Sequence, residues 1–242
     1  MHRTRLSLIV LLVTASLAAP AAHGASPDLV VSQVFAGGGN AGASFANDYV
    51  ELFNRGSSTV DLTGWSIQYA TATGTSWSPT ALAGTLAPGR RYLVQFASAA
   101  AVGSPLPVPD ASGTTNLATS GGKVALVRDT AALTCGASAG ACSAVTTVHD
   151  LVGYGSATDY EGATTAPALS STTAAVRGGN GCTDTDSNAA DFTAATPTPR
   201  NSSTPATVCG SNSSAVSQSA RQVSDYLLVC QAPPPPGRDQ RP

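Results

Sequence analysis

Asn47–Ala70 reads NDYVELFNRGSSTVDLTGWSIQYA, and the fold is decided here. Tyr49-Val50-Glu51-Leu52-Phe53 is a run of β-formers, and Asn54-Arg55-Gly56 has the residue types of a turn. Thr59–Leu62 can pair briefly. Asp61-Leu62-Thr63-Gly64-Trp65 reads as a tight corner that delivers Trp65 into the core, where a buried indole would anchor a small sandwich. In Trp65–Tyr69 the residues Trp65, Ile67 and Tyr69 share one face while Ser66 and Gln68 share the other, which predicts a sheet with one wet side.

Outward from this stretch the same texture continues. Strands are expected at Leu29–Phe35, Tyr92–Phe96, Val124–Val127, Val148–Tyr154 and Thr173–Arg177, with weaker ones near Thr75–Trp77 and Leu82–Leu86. Strict alternation in Leu29–Phe35 would put Leu29, Val31, Gln33 and Phe35 on one face and Val30, Ser32 and Val34 on the other. Between Ala25 and Cys209 no helical period runs beyond two turns. Many short strands without helices predict an all-β antiparallel sandwich or barrel.

The ends differ in kind. Met1–Arg5 carries two Arg, Leu6–Ala19 is an apolar run, and Pro20 with small residues follows. This is the pattern of an export signal spanning residues 1–24, cleaved after Gly24, and no later stretch is apolar enough for a membrane span. Residues 25–209 then form the domain. Residues 210–242 are rich in Ser and Pro and are expected to be disordered. Charged residues make up only 11% of the chain and the net charge is −2, so DNA binding has no electrostatic footprint here. An exported chain favours disulfides. Cys135 and Cys142 can close one loop, and Cys182 and Cys209 can tie the end of the domain. That is one of three pairings that four cysteines allow, with Cys230 left over.

The order of segments resembles the lamin-tail domain family in its exported bacterial form. The motifs are DLVVSQVFAGGGNAG (28–42), the 47–70 stretch, LAGTLAPGRRYLVQ (82–95), GGKVALV (121–127), HDLVGYGSATDYEG (149–162) and TAAVRGGNGCTDTDSNAADFTAATPTPRNS (173–202). The resemblance implies an immunoglobulin-like sandwich. It also implies a frequent association with a secreted nuclease of the endonuclease/exonuclease/phosphatase class, whose catalytic domain is not visible in this chain.

Reactive residues are scarce. Such a nuclease needs two catalytic His, and of the three His only His149 lies beyond the export signal. His149 is expected at an edge, bonded to Asp150 or to backbone. Gly136-Ala137-Ser138-Ala139-Gly140 matches G-x-S-x-G, but Cys135 and Cys142 bracket it and no helix follows, which reads as a disulfide-closed loop. The Gly37–Gly42 run matches a nucleotide fingerprint but leads into a loop and a strand, and is read as a flexible connection. Asp184, Asp186 and Asn188 alternate like the first ligands of a calcium loop, although Ala189 replaces the Gly and Ala195 the closing Glu; an Asx turn is the competing account. Asp48, Glu51, Asp159 and Glu161 are expected to be solvated loop charges. The sequence thus predicts no enzyme and no resident cofactor, but a secreted module binding an extracellular or cell-envelope ligand through Ala36–Asn47, Ala97–Asn116 and Cys135–Thr147. The alternative is an accessory domain of a nuclease encoded elsewhere.

Overall fold

Runs of Val, Leu, Tyr and Phe between Gly, Pro and Asn turns become twelve strands in the computed structural model, which describes residues 25–210. The expected export signal, and the expected disordered tail from residue 211 with Cys230, lie outside the described residues. The strands are β1 (Leu29–Phe35), β2 (Tyr49–Asn54), β3 (Val60–Asp61), β4 (Ser66–Thr71), β5 (Ser78–Ala81), β6 (Thr85–Leu86), β7 (Arg91–Gln95), β8 (Ala111–Ser112), β9 (Gly121–Val127), β10 (Val148–Gly155), β11 (Ala174–Arg177) and β12 (Phe192–Ala195). One helical turn, α1 (Asn188–Asp191), precedes β12. The expected strand at Thr75–Trp77 is a loop. The strand begins one residue later and carries Pro79 on a sheet edge, where a missing N–H is tolerated.

Two sheets face each other as an immunoglobulin-like sandwich. One has the order β12-β11-β1-β2-β7-β8 and the other β10-β9-β4-β5; β3 and β6 form a separate pair. All pairings are antiparallel except β7 with β8. Val31, Val34, Val50 and Leu52 from the first sheet meet Ile67, Val124, Leu126 and Val152 from the second. Each such buried side chain contributes roughly 1.5–3 kcal/mol.

The register departs from strict alternation in β1. Val31 pairs with Leu52 and Gln33 with Glu51, so Ser32 is an extra residue, a β-bulge. The bulge flips the phase: Leu29, Val31, Val34 and Ala36 face the core, while Phe35 joins Tyr49 and Leu93 on the outer side. The expected shared face of Leu29, Val31, Gln33 and Phe35 is thereby corrected.

The outer faces of the inner strands are covered on both sheets, while the edge strands β5 and β12 keep exposed residues. Ser66 and Gln68 are buried because residues 129–133 lie over β4: Ser66 Oγ donates to Asp129 O, Gln68 Nε2 donates to Ala131 O, and Gln68 Oε1 accepts from Leu133 N. This loop carries the Cys135–Cys142 disulfide and shelters a small second core of Trp77, Val127, Leu133 and Leu151. The Cys135–Thr147 segment, expected to carry recognition, thus covers the second sheet. On the first sheet, residues 197–209 form the matching strap, closed by the Cys182–Cys209 disulfide, with Thr198, Arg200 and Thr207 bonded to Gln33, Glu51 and Gly89.

Trp65 is not the central anchor. Leu62 is the residue of the 61–65 corner that enters the core, and Trp65 is half-buried beside it. The turn closes through Trp65 N to Leu62 O, and Leu82 N caps Trp65 O, so the indole is held at the sandwich end.

Candidate functional site at the charged end of the sandwich

Arg177 ends β11 inside a ring of carboxylates. Its Nη2 donates to both oxygens of Asp150 at 3.0 and 2.9 Å, and its Nη1 to Asp184 at 2.9 Å and Asp191 at 3.4 Å. Nε donates to Val31 O at the bulge, and the guanidinium lies 4.5 Å over the Phe192 ring. Asp150 also accepts from Val31 N at 2.6 Å. Carboxylate oxygens of Asp150, Glu161 and Asp184 come within 4.8 Å of one another, and Arg177 is the counter-charge the fold supplies. Burial pushes the Asp150 carboxyl above its ordinary value, against the pull of Arg177. Burial, followed by the charge of Asp150, pushes Glu161 well above its own.

The residues read as a calcium loop are placed as follows. Asp184 accepts from Arg177, from Arg55 Nη1 at 3.2 Å and from Ser26 N at 2.7 Å. Asp186 has a left-handed backbone, with φ of 54°. Asn188 lies along the open edge of β10: its Oδ1 accepts from Gly153 N and Glu161 N, and its Nδ2 donates to Leu151 O and Glu161 Oε2. The amide replaces a neighbouring strand.

His149 belongs to the same end. Val148 pairs with Val127 and Asp150 with Leu126, so His149 is the extra residue of a second bulge. Its Nε2 lies 2.8 Å from Asp28 Oδ1 and its Nδ1 lies 2.8 Å from Arg128 Nη2. An arginine can only donate, so Nδ1 is the bare nitrogen and Nε2 carries the proton. The ring stands edge-on to Trp65 at 5.1 Å, and Arg128 lies 5.2 Å over the same indole. The ring's partner is therefore Asp28, not Asp150 as expected. Burial, then the Arg128 charge, holds the imidazole below its usual value, while Asp28 and Asp150 pull the other way.

The carboxylates expected in solvent are buried clasps. Asp48 accepts from Gly38 N and Leu117 N, and burial raises its carboxyl to about 6. Glu51 receives Arg200, Arg91, Ser32 and Gln33. Asp159 accepts from Gly140 N and Cys142 N, fixing the disulfide loop that contains Ser138. Lys123 Nζ donates to Gly74 O and Gly136 O at 2.6 Å each, and burial lowers its ammonium. The Gly37–Gly42 connection packs closely against its neighbours, since a Cβ on Gly38 would stand 2.0 Å from Asn47 C. Sequence reasoning missed Arg177, Lys123, Arg128 and Asp28. The available signal was charge placed inside β runs, in GGKVALV and AAVR, which a strand buried on both faces can hold only with a partner.

The Lamin Tail Domain family model matches residues 22–155, more than half of the chain. No curated protein matches the chain. The matched stretch runs from before β1 through β10; beyond it β11 pairs with β1 and β12 with β11, completing the first sheet. The chain belongs to the Lamin Tail Domain family.

Proposed function

We propose that the chain is an exported, non-enzymatic binding module whose recognition surface is the sandwich end formed by loops 36–47 and 97–116. The observation that carries this reading is that two loops distant in sequence are bonded into one platform. Ala46 N donates to Ser104 O at 2.8 Å, Ser104 N to Ser44 O at 3.0 Å and Ala99 N to Gly38 O at 3.2 Å. Ser44 N reaches Ser171 O, adding the 170–172 turn. Loop 97–116 presents Val102 to solvent at this end. Rigid scaffolds that fix their loops in this way are suited to recognition.

Two further points support the reading. The reactive-looking side chains are engaged in holding the fold, His149 with Asp28 and Arg128, and Asp150 with Arg177. Two disulfides suit an oxidising compartment, and no helix among the described residues is long and apolar enough to cross a membrane. The ligand class is an extracellular or cell-envelope molecule. A net charge of −2 does not favour DNA.

The test is a glycan array and a panel of isolated cell-envelope fractions probed with the purified chain. Binding is expected, and is expected to be lost in a Val102→Asp variant whose melting is unchanged. Equal binding by that variant contradicts the placement. Metal-dependent turnover of DNA or an ester, abolished by His149→Ala, contradicts the non-enzymatic reading. A salt-sensitive gel shift with DNA favours the accessory role beside a nuclease instead.

A further inference from the structure

Only one protonation state of His149 fits its neighbours. Asp28 reaches Nε2 from the segment before β1, and Arg128 reaches Nδ1 from the end of β9. Asp150 follows on β10, but its carboxylate is turned to Arg177 and Val31 N. Trp65 closes the remaining side. We propose that protonation of His149 ejects Arg128 from the face of Trp65, so that acidification uncovers an aromatic patch at this end of the sandwich.

Donors and charges around the ring decide which partner stays. In the neutral ring Nδ1 accepts from Arg128 while Nε2–H donates to Asp28. Adding a proton leaves the Asp28 contact in place and turns it from a charge-assisted hydrogen bond into an ion pair. The same proton puts N–H against N–H at a 2.8 Å separation, with a cation on each side. Arg128 is the partner that can leave: its residue is exposed, and its guanidinium otherwise only stacks 5.2 Å over Trp65. Its backbone N stays bonded to Thr147 O, so the event is a side-chain swing that leaves β9 and β10 paired. Burial of the ring, with Arg128 beside it, lowers the transition from the ordinary histidine value.

The experiment is acrylamide quenching of tryptophan fluorescence in the whole chain, at about pH 7.5 and about pH 5, bracketing the histidine range. Subtracting the signal of Trp65→Phe isolates Trp65 from Trp77. Trp65 is expected to become more accessible on acidification, with a midpoint below about 6.5. Arg128→Ala is expected to be open at both pH values. His149→Gln, which keeps a donor and an acceptor, is expected to be closed at both. Equal quenching at the two pH values, or an unchanged pH response in His149→Gln, overturns the proposal. Should Trp65→Phe fail to fold, the ring-nitrogen NMR signals of His149 in the wild-type chain decide. The Nε2–H tautomer at neutral pH is required, and an Nδ1–H tautomer overturns it.

Discussion

Arg177 at the end of β11 grips both carboxylate oxygens of Asp150 on β10, at 3.0 and 2.9 Å, with both side chains buried. The pair ties the first sheet to the second at the sandwich end. Removing one partner strands a buried charge, so Arg177→Met is expected to lower stability by about 3–5 kcal/mol. Urea unfolding measures it. Arg177→Met combined with Asp150→Asn should cost less than Arg177→Met alone, because one of the buried carboxylates that lose Arg177 is then neutral, while Asp184 and Asp191 keep their charge.

Asn188 closes the edge of β10 with one side chain. Asn188→Ala leaves Gly153 N and Leu151 O without these partners, at a cost of about 1–3 kcal/mol for each buried group left unmet. Amide hydrogen exchange at Gly153 should speed up selectively. Unchanged exchange there would contradict the edge-closing role.

The two straps are expected to differ in worth. Cys182 and Cys209 are 27 residues apart and Cys135 and Cys142 only 7, so the first bridge constrains the unfolded chain more. Cys182→Ser/Cys209→Ser should lose more stability than Cys135→Ser/Cys142→Ser, within a range of about 2–4 kcal/mol. Thermal melts of the two double variants rank them.

The pH response has opposing parts. His149 is held below its unfolded value, so the unfolded chain binds its proton more readily, and stability is lost as pH falls below about 6.5. Asp48 is raised from 3.8 to about 6, so the folded chain takes its proton more readily and gains stability as pH falls through that window. The melting temperature of wild type relative to Asp48→Asn should therefore be higher at about pH 4.5 than at about pH 7.5. The reverse order would contradict the burial of Asp48.

Much of this was legible beforehand, and the failures have identifiable causes. Tyr49–Phe53 and Val148–Tyr154 carry enough β-formers to announce strands, and Gly and Pro mark the turns. Alternation mispredicted β1 because one bulge at Ser32 reverses every later side chain, and a bulge has no signature in composition. Glu51 and Gln68 looked solvent-facing because the straps that bury them lie far away in sequence, Arg200 over the first and Leu133 over the second. The residue types of β12 and α1, FTAA and NAAD, favour no element locally; pairing with β11 and bonding to β10 make them.

The central claim is that the fold extends beyond the matched stretch: β11, Arg177 and the strap closed by Cys182–Cys209 are parts of one cooperative sandwich. Circular dichroism and urea unfolding of a fragment of residues 25–155, beside one of residues 25–210, test this most directly. The longer fragment is expected to give a β spectrum and a single cooperative transition, and the shorter one neither. A shorter fragment that unfolds cooperatively with the same midpoint would contradict the account.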